Sequence, residues 1–155
     1  MTAKQEKSSG GETRFSILEL NQQLYGVDIL KSREVFPLPD ITPVPNTAAF
    51  VLGVFNLRGE IFPLIDISGI LQLPLKEVAP TDMVILLEGN GAVIGVLVDR
   101  ILGVKTLRHD QIGNPKGIVP KKQLEFIDGV VTDKSEEIYL LNLDRMFASP
   151  LLKLT

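Results

Sequence analysis

Apolar residues in this chain come in short runs broken by turn-forming residues, a pattern of many short strands and not of long helices. The clearest instance is residues 49–69, AFVLGVFNLRGEIFPLIDISG. It predicts two strands, over 51–57 and 60–67, folded back across Arg58-Gly59. Val54, Ile61 and Ile65 form one apolar face, and Phe55, Leu57, Phe62 and Leu64 form the other. A strand that is apolar on both faces needs cover on both, so this hairpin is expected between two packed layers. Gly59 fits a turn position with positive φ, where a Cβ is costly. Pro63 has no N–H to give a ladder and is expected at an edge or a bulge.

The rest of the chain follows the same grammar. Residues 1–14 are polar and predict a disordered arm. Runs at 15–20 and 24–29, joined through Asn21-Gln22-Gln23, read as a hairpin, and Val35-Phe36 continues the sheet. Pro37, Pro39, Pro43 and Pro45 make a stiff connector, after which Asn46 is placed to cap a helical turn over 47–50. A brief helix over 68–73, ended by Pro74, and a polar link over 76–82 follow the central hairpin. Runs at 83–87 and 92–98 flank Asn90-Gly91, a strong hairpin signal. Residues 99–107 predict a further strand and 109–123 a loop. A last hairpin over 126–132 and 138–143, a short helix over 143–147 and a tail over 149–155 complete the chain. About ten short strands at this spacing suit small barrels or a sandwich. No exact repeat is visible, yet both halves read hairpin, connector, hairpin. Two small barrels sharing a middle core account for AVIGVLV (92–98) and the central hairpin being apolar on both faces.

Composition adds bounds. At 155 residues the chain predicts one domain with enough length to bury a core. With 6% aromatic residues and no Trp, that core must be Ile, Leu and Val. The net charge is −3 and the 16 basic residues are scattered, which argues against nucleic acid as a partner. Cysteine is absent, which excludes disulfides and thiolate chemistry and fits a reducing compartment. MTAKQEKSSGGETR lacks the apolar centre of a signal peptide, and the apolar runs are too short to cross a bilayer as helices. A cytoplasmic protein is expected.

Catalytic chemistry has little to stand on. His109, the one histidine, sits in a polar loop and reads as a solvated residue before it reads as a general base. GNGAVIG (89–95) mimics a phosphate loop but lacks the strand–loop–helix setting, so it reads as a hairpin turn. LIDISG (64–69) is similar to the half-site of an aspartic protease. That chemistry needs Asp directly followed by Thr or Ser, and here Ile67 intervenes after Asp66. No metal-ligand cluster is visible and no cofactor is expected. Asp66 and Asp99 close their strands and are expected to accept backbone N–H bonds. Gly53, Gly95 and Gly129 read as close-packing or turn glycines. Arg58 is different, a guanidinium at the tip of an apolar hairpin with Asn56 beside it and Glu34 within reach. It reads either as half of a surface ion pair or as a docking point.

GVFNLRGEIFPLIDI resembles the signature hairpin of the CheW family, the coupling proteins of bacterial chemosensory systems. Gly53, Val54, Asn56, Leu57, Arg58, Gly59, Ile61, Pro63 and Asp66 stand in matching positions. YGVDILKSREV (25–35), TPVPN (42–46), the VIGVLVDRILGV stretch and FIDGVV (126–131) resemble further family elements in the family's order. The resemblance covers nearly everything from Phe15 to Phe147. It implies an all-β fold of two intertwined five-stranded SH3-like barrels with a shared hydrophobic core and short helices, over 15–148. It implies no catalysis, but an adaptor joining chemoreceptor tips to the regulatory domain of a chemotaxis-type histidine kinase. Arg58, Glu34 and Asn56 would then contact partners, and Ile29, Leu30 and Val98 would line a groove for a receptor tip. Asn142 departs from the family pattern, where Asp is common. A small-barrel module for a ligand or peptide is the alternative, and an aspartic hydrolase comes last.

Overall fold

Four two-residue turns set the frame, and all four have both residues at positive φ. They are Asn21-Gln22 (52° and 69°), Arg58-Gly59 (50° and 90°), Asn90-Gly91 (50° and 76°) and Lys134-Ser135 (50° and 72°). Turns of this hand match the right-handed twist of the strands they join. The computed structural model describes residues 11–152. The strands are β1 (Glu12–Leu20), β2 (Gln23–Asp28), β3 (Ser32–Pro37), β4 (Val51–Leu57), β5 (Glu60–Ile65), β6 (Met83–Gly89), β7 (Ala92–Val98), β8 (Arg100–Arg108), β9 (Ile127–Asp133) and β10 (Glu136–Leu141), followed by α1 (Leu143–Ala148).

Two five-stranded sheets result, ordered β8-β1-β2-β10-β9 and β3-β6-β7-β5-β4. Two hairpins hand the next strand to the other sheet: β2 leads into β3, and β7 into β8. The halves are related position by position. Leu64 pairs with Gly95 in the parallel junction of one sheet, and Leu140 with Gly26 in the other. Val54 bridges to Thr42, and Val130 to Gly113, where the connectors pass the edge strands β4 and β9. Gly53 and Gly129 precede those bridges. A Cβ on Gly53 would lie 2.4 Å from the Thr42 carbonyl oxygen, and one on Gly129 would lie 2.4 Å from the Ile112 methyl. Gly95 likewise lets the Phe55 ring pass, at 2.7 Å from where a Cβ would stand. At all three a Cβ would meet a neighbouring group.

Side-chain alternation builds three cores. Phe15, Ile17, Val131, Ile138 and Leu140 fill the first barrel. Phe55, Phe62, Leu64, Leu86 and Leu97 fill the second. The largest cluster lies between them and joins Leu18, Leu20 and Val27 to Ile65, Ile85 and Val96. Leu64 and Ile65, adjacent on β5, are both fully buried in different cores. This is the shared middle core that the doubly apolar strands predict.

Several expectations need correction. The central hairpin is covered on both faces only at its base. At its tip Ile61 is 61% exposed, because the strands run past the shared core. The strand expected from residue 15 begins at Glu12, so Glu12, Thr13 and Arg14 of the expected arm pair with β8, while residues 1–10 lie outside the described residues. The helical turn over 47–50 is absent; Asn46 takes φ 61° and turns the chain instead of capping. Residues 68–73 form consecutive turns and not a helix, with Leu73 N–H donating to the Ser68 carbonyl at 2.8 Å. Of the expected tail, residues 150–152 make a 3-10 turn with Leu152 in the shared core, and residues 153–155 lie outside the described residues. Pro63 is tolerated inside a sheet because Val54, opposite it, spends its N–H and C=O on Thr42, and the parallel rungs to β7 begin only at Leu64.

Candidate functional site

The β4–β5 tip is built by its own backbone. Asn56 accepts the Gly59 N–H at 3.0 Å, which ties the turn closed and holds Arg58 at the outermost position. Gly59 has open space around it, so only its φ of 90° calls for glycine. Arg58 itself takes a left-handed conformation, uncommon for a residue with a Cβ. β3 is the far edge strand of the same sheet, and Glu34 points from it toward the tip. Arg58 Nη2 and Glu34 Oε1 form an ion pair that spans the gap between the sheet's two edges. The hydrogen bond to Glu34, and then its charge, raises the guanidinium pKa above its ordinary value, so the cation is permanent.

The pair is poised and not buried: the Arg58 side chain is 71% exposed and that of Glu34 is 34% exposed. Two apolar residues on the same strands lack cover. Ile61 stands opposite Asn56 in the register, and Val35 follows Glu34 at 45% exposure. The apolar pattern places Ile61 on a covered face. The available signal was strand length, since β4 and β5 extend beyond the residues the shared core can cover.

Of the residues expected at the site, Arg58, Glu34 and Asn56 come together, with Asn56 acting on the turn. Ile29 and Leu30 lie apart from them in a 3-10 turn (Ile29–Lys31) on the crossover between sheets. Asp28 caps that turn by accepting the Leu30 N–H at 2.9 Å. Leu30 is 83% exposed and Ile29 is half-buried. Val98 corrects its expectation: it is fully buried in the shared core and offers nothing to a groove.

The residues weighed for chemistry are occupied structurally. Asp66 is fully buried and accepts the backbone N–H groups of Ser68 (2.9 Å) and Lys76 (2.8 Å). Asp99 accepts the Asn21 N–H at 2.8 Å. His109 Nε2 lies 2.7 Å from Thr13 Oγ1, which fastens the end of β8 to the start of β1. GNGAVIG is the β6–β7 turn. Asn142 caps α1 by accepting the Arg145 N–H at 2.9 Å, while its Nδ2 donates to Asp128 Oδ1 at 3.1 Å. An Asp there would keep the cap and oppose Asp128. Among the described residues no group of side chains is arranged to hold a metal ion, and no helix is long and apolar enough to cross a membrane.

Sequence reasoning missed Lys76 altogether. It stands in a segment that reads as a polar link, yet its side chain is 3% exposed, with Nζ 2.5 Å from Asp82 Oδ2 and 3.2 Å from Asp99 Oδ1.

A family model described as the CheW-like domain matches residues 14–151. The chain is 29% identical over 149 residues to the chemotaxis protein CheW of Rhizobium meliloti (strain 1021), covering 96% of each. It is 30% identical over 142 residues to the chemotaxis protein CheW of Klebsiella aerogenes, covering 90% of this chain and 86% of the other. Among solved structures, the scaffolding protein TtCheW from Thermoanaerobacter tengcongensis superposes with a TM-score of 0.80 at 26% identity, covering 92% of this chain and 97% of that one.

Proposed function

The chain belongs to the CheW-like domain family, and on that premise we propose that it is a non-catalytic adaptor coupling chemoreceptors to a chemotaxis-type histidine kinase. The observation that carries this reading is the Arg58–Glu34 pair, fixed by a turn that Asn56 closes, with Ile61 of β5 and Val35 of β3 also exposed. Its mechanism is geometric. Two barrels locked through one core hold two binding surfaces at a constant angle, so partners docked on them keep a fixed relation. Affinity then comes from complementarity at a few anchors and not from bond-making. One surface is the β4–β5 tip, which takes the kinase regulatory domain. The other is the crossover at Ile29 and Leu30, which takes the receptor tip. The protein would act in the cytoplasm, held at membrane receptor arrays by these partners.

Co-sedimentation tests this reading. The full chain is mixed with receptor-bearing membranes and the kinase, and the kinase in the pellet is measured. The expected result is kinase recruitment that depends on the chain and saturates with it. A kinase that pellets equally without the chain, or a chain that binds neither the receptor tip nor the isolated regulatory domain, would overturn it.

A further inference from the structure

A cleft of about 440 Å³ opens where the β1–β2 turn, residues 73–75 and residues 120–123 meet, at the end of β2 away from Ile29. Leu20, Tyr25 and Leu75 give it apolar walls, and none of its lining residues is charged. That is unusual company in a chain where 23% of residues are charged. Its side-chain amides are biased toward acceptors. Asn21 Nδ2 donates to Ser68 Oγ at 3.1 Å, and Gln23 Nε2 donates to the Leu24 and Glu137 carbonyls at 3.0 and 2.7 Å. Those amide donors are committed to the protein, which leaves the amide oxygens beside the Tyr25 and Tyr139 hydroxyls.

Gln123 makes the bias concrete. It lines the cleft at 3% exposure, and its Oε1 has no hydrogen-bond partner among the described residues. A buried acceptor left bare carries a desolvation penalty that an incoming donor removes. The terminal amide torsion is soft, so a small rotation presents Oε1 to the cleft.

We propose that this cleft binds a small uncharged molecule bearing N–H donors on an apolar body, with Gln123 as its buried acceptor. An aryl carboxamide is the simplest member of that class, and the volume suits a ligand of this kind. A charged ligand finds no counter-ion in the lining and would lose hydration without return. The site is independent of the adaptor surfaces, because it shares no residue with the Arg58 tip or the Ile29–Lys31 turn.

The test titrates benzamide into the full chain, with benzoate and benzylammonium as charged counterparts, and follows NMR signals of Gln123 and Leu75. Benzamide should give saturable shifts at both residues, and its affinity should be nearly unchanged by about 0.5 M salt. The charged counterparts should bind at least about tenfold more weakly. Gln123→Leu should melt no earlier than the parent, since it removes an unpaired buried acceptor, and should weaken benzamide about tenfold. Leu75→Trp, at a position 43% exposed, should fill the cleft and abolish binding with Gln123 intact. The proposal fails if benzamide gives no saturable shift at these residues, or binds no better than benzoate. It also fails if Gln123→Leu binds benzamide as tightly as the parent or if binding survives Leu75→Trp; should Gln123→Leu not fold, Leu75→Trp alone decides.

Discussion

Lys105 on β8 ion-pairs with Asp133 at the end of β9, across the same gap in the first barrel that Glu34 and Arg58 span in the second. The polarity is reversed: β8 carries the cation here, and β3, its counterpart in strand order, carries the carboxylate there. Each pair ties the two edge strands of its sheet, which have no ladder between them.

If Arg58 served only as such a tie, Lys would serve as well. The prediction is that Arg58→Ala and Arg58→Lys both melt with the parent, because the guanidinium is mostly exposed and a solvated pair adds little to folding. Both should nevertheless lose ternary assembly with receptor and kinase, since a point charge does not reproduce a planar fork. Early melting of Arg58→Ala would make the residue structural, and normal assembly would remove the docking role.

The glycines at 53 and 59 separate two costs. Gly59 has space around it but sits at φ 90°, so Gly59→Val should cost about 1–3 kcal/mol by strain alone. Gly53→Ala adds a Cβ 2.4 Å from the Thr42 carbonyl oxygen at φ 146°, and should cost roughly 3 kcal/mol or more as the connector is pushed away. Urea unfolding should rank Gly53→Ala as the more damaging although it is the smaller change. The opposite order would mean that the connector yields easily.

Lys76 is a buried strut. Lys76→Met keeps its length but strands the Asp82 carboxylate, 3% exposed, with only the Ala79 N–H left to it. The loss should be about 3 kcal/mol, and Asp82→Asn in the same chain should return part of it. Burial opposes the Lys76 charge, yet the hydrogen bonds to Asp82 and Asp99 outweigh it and raise its pKa above 10.5. Its contribution is therefore complete below pH 10.5 and is lost as pH rises through the raised value. Stability that tracked Lys76 near neutral pH would contradict this arrangement.

Both tyrosines point the same way. Burial, and then Tyr139, pushes the Tyr25 phenol up from 10.0 to about 12. Burial and Glu137 also raise Tyr139. The unfolded chain gives up these protons first, so stability is full below pH 10.0 and declines from there toward pH 12. With two Tyr and no Trp, absorbance reads the phenols cleanly. Tyr25 should stay protonated at pH 10 in the folded chain, Tyr139 should ionise later than a free phenol, and Tyr25→Phe should lessen the alkaline loss. A normal tyrosine titration in native protein would show that the rings are wet.

The hairpins were legible because each is local: an apolar run, a turn signal, an apolar run. Asn90-Gly91 and Gly59 announced their turns through residues that tolerate positive φ. Gln22, Lys134 and Ser135 did not, since closing strands forced ordinary residues into that region. The exchange of β3 and β8 is invisible to periodicity, which carries no information about which sheet receives a strand. The shared core was foreseeable only through residues such as Leu64 and Ile65, apolar in succession. Val98 and Lys76 mark the limits of the pattern. An apolar residue ending a strand and a lysine in a proline-containing link look alike whether they face solvent or the interior. Only the crossover at Asp99 settles that both turn inward.

The strand order also governs how the chain comes together as it is translated. β3 to β7 are contiguous, so the second barrel is complete once Val98 has emerged. β1 and β2 are made earlier, yet their neighbours β8, β9 and β10 come last, with Glu12 finding its partner only at Arg108. Pairings this distant close slowly and leave strand edges open in the meantime. The apolar face formed by Leu18, Leu20 and Val27 can shelter on the finished barrel while it waits. Pulsed hydrogen exchange during refolding should accordingly protect β5 and β7 amides before those of β1. Among these strands, the first to be synthesised is the one whose sheet is closed last.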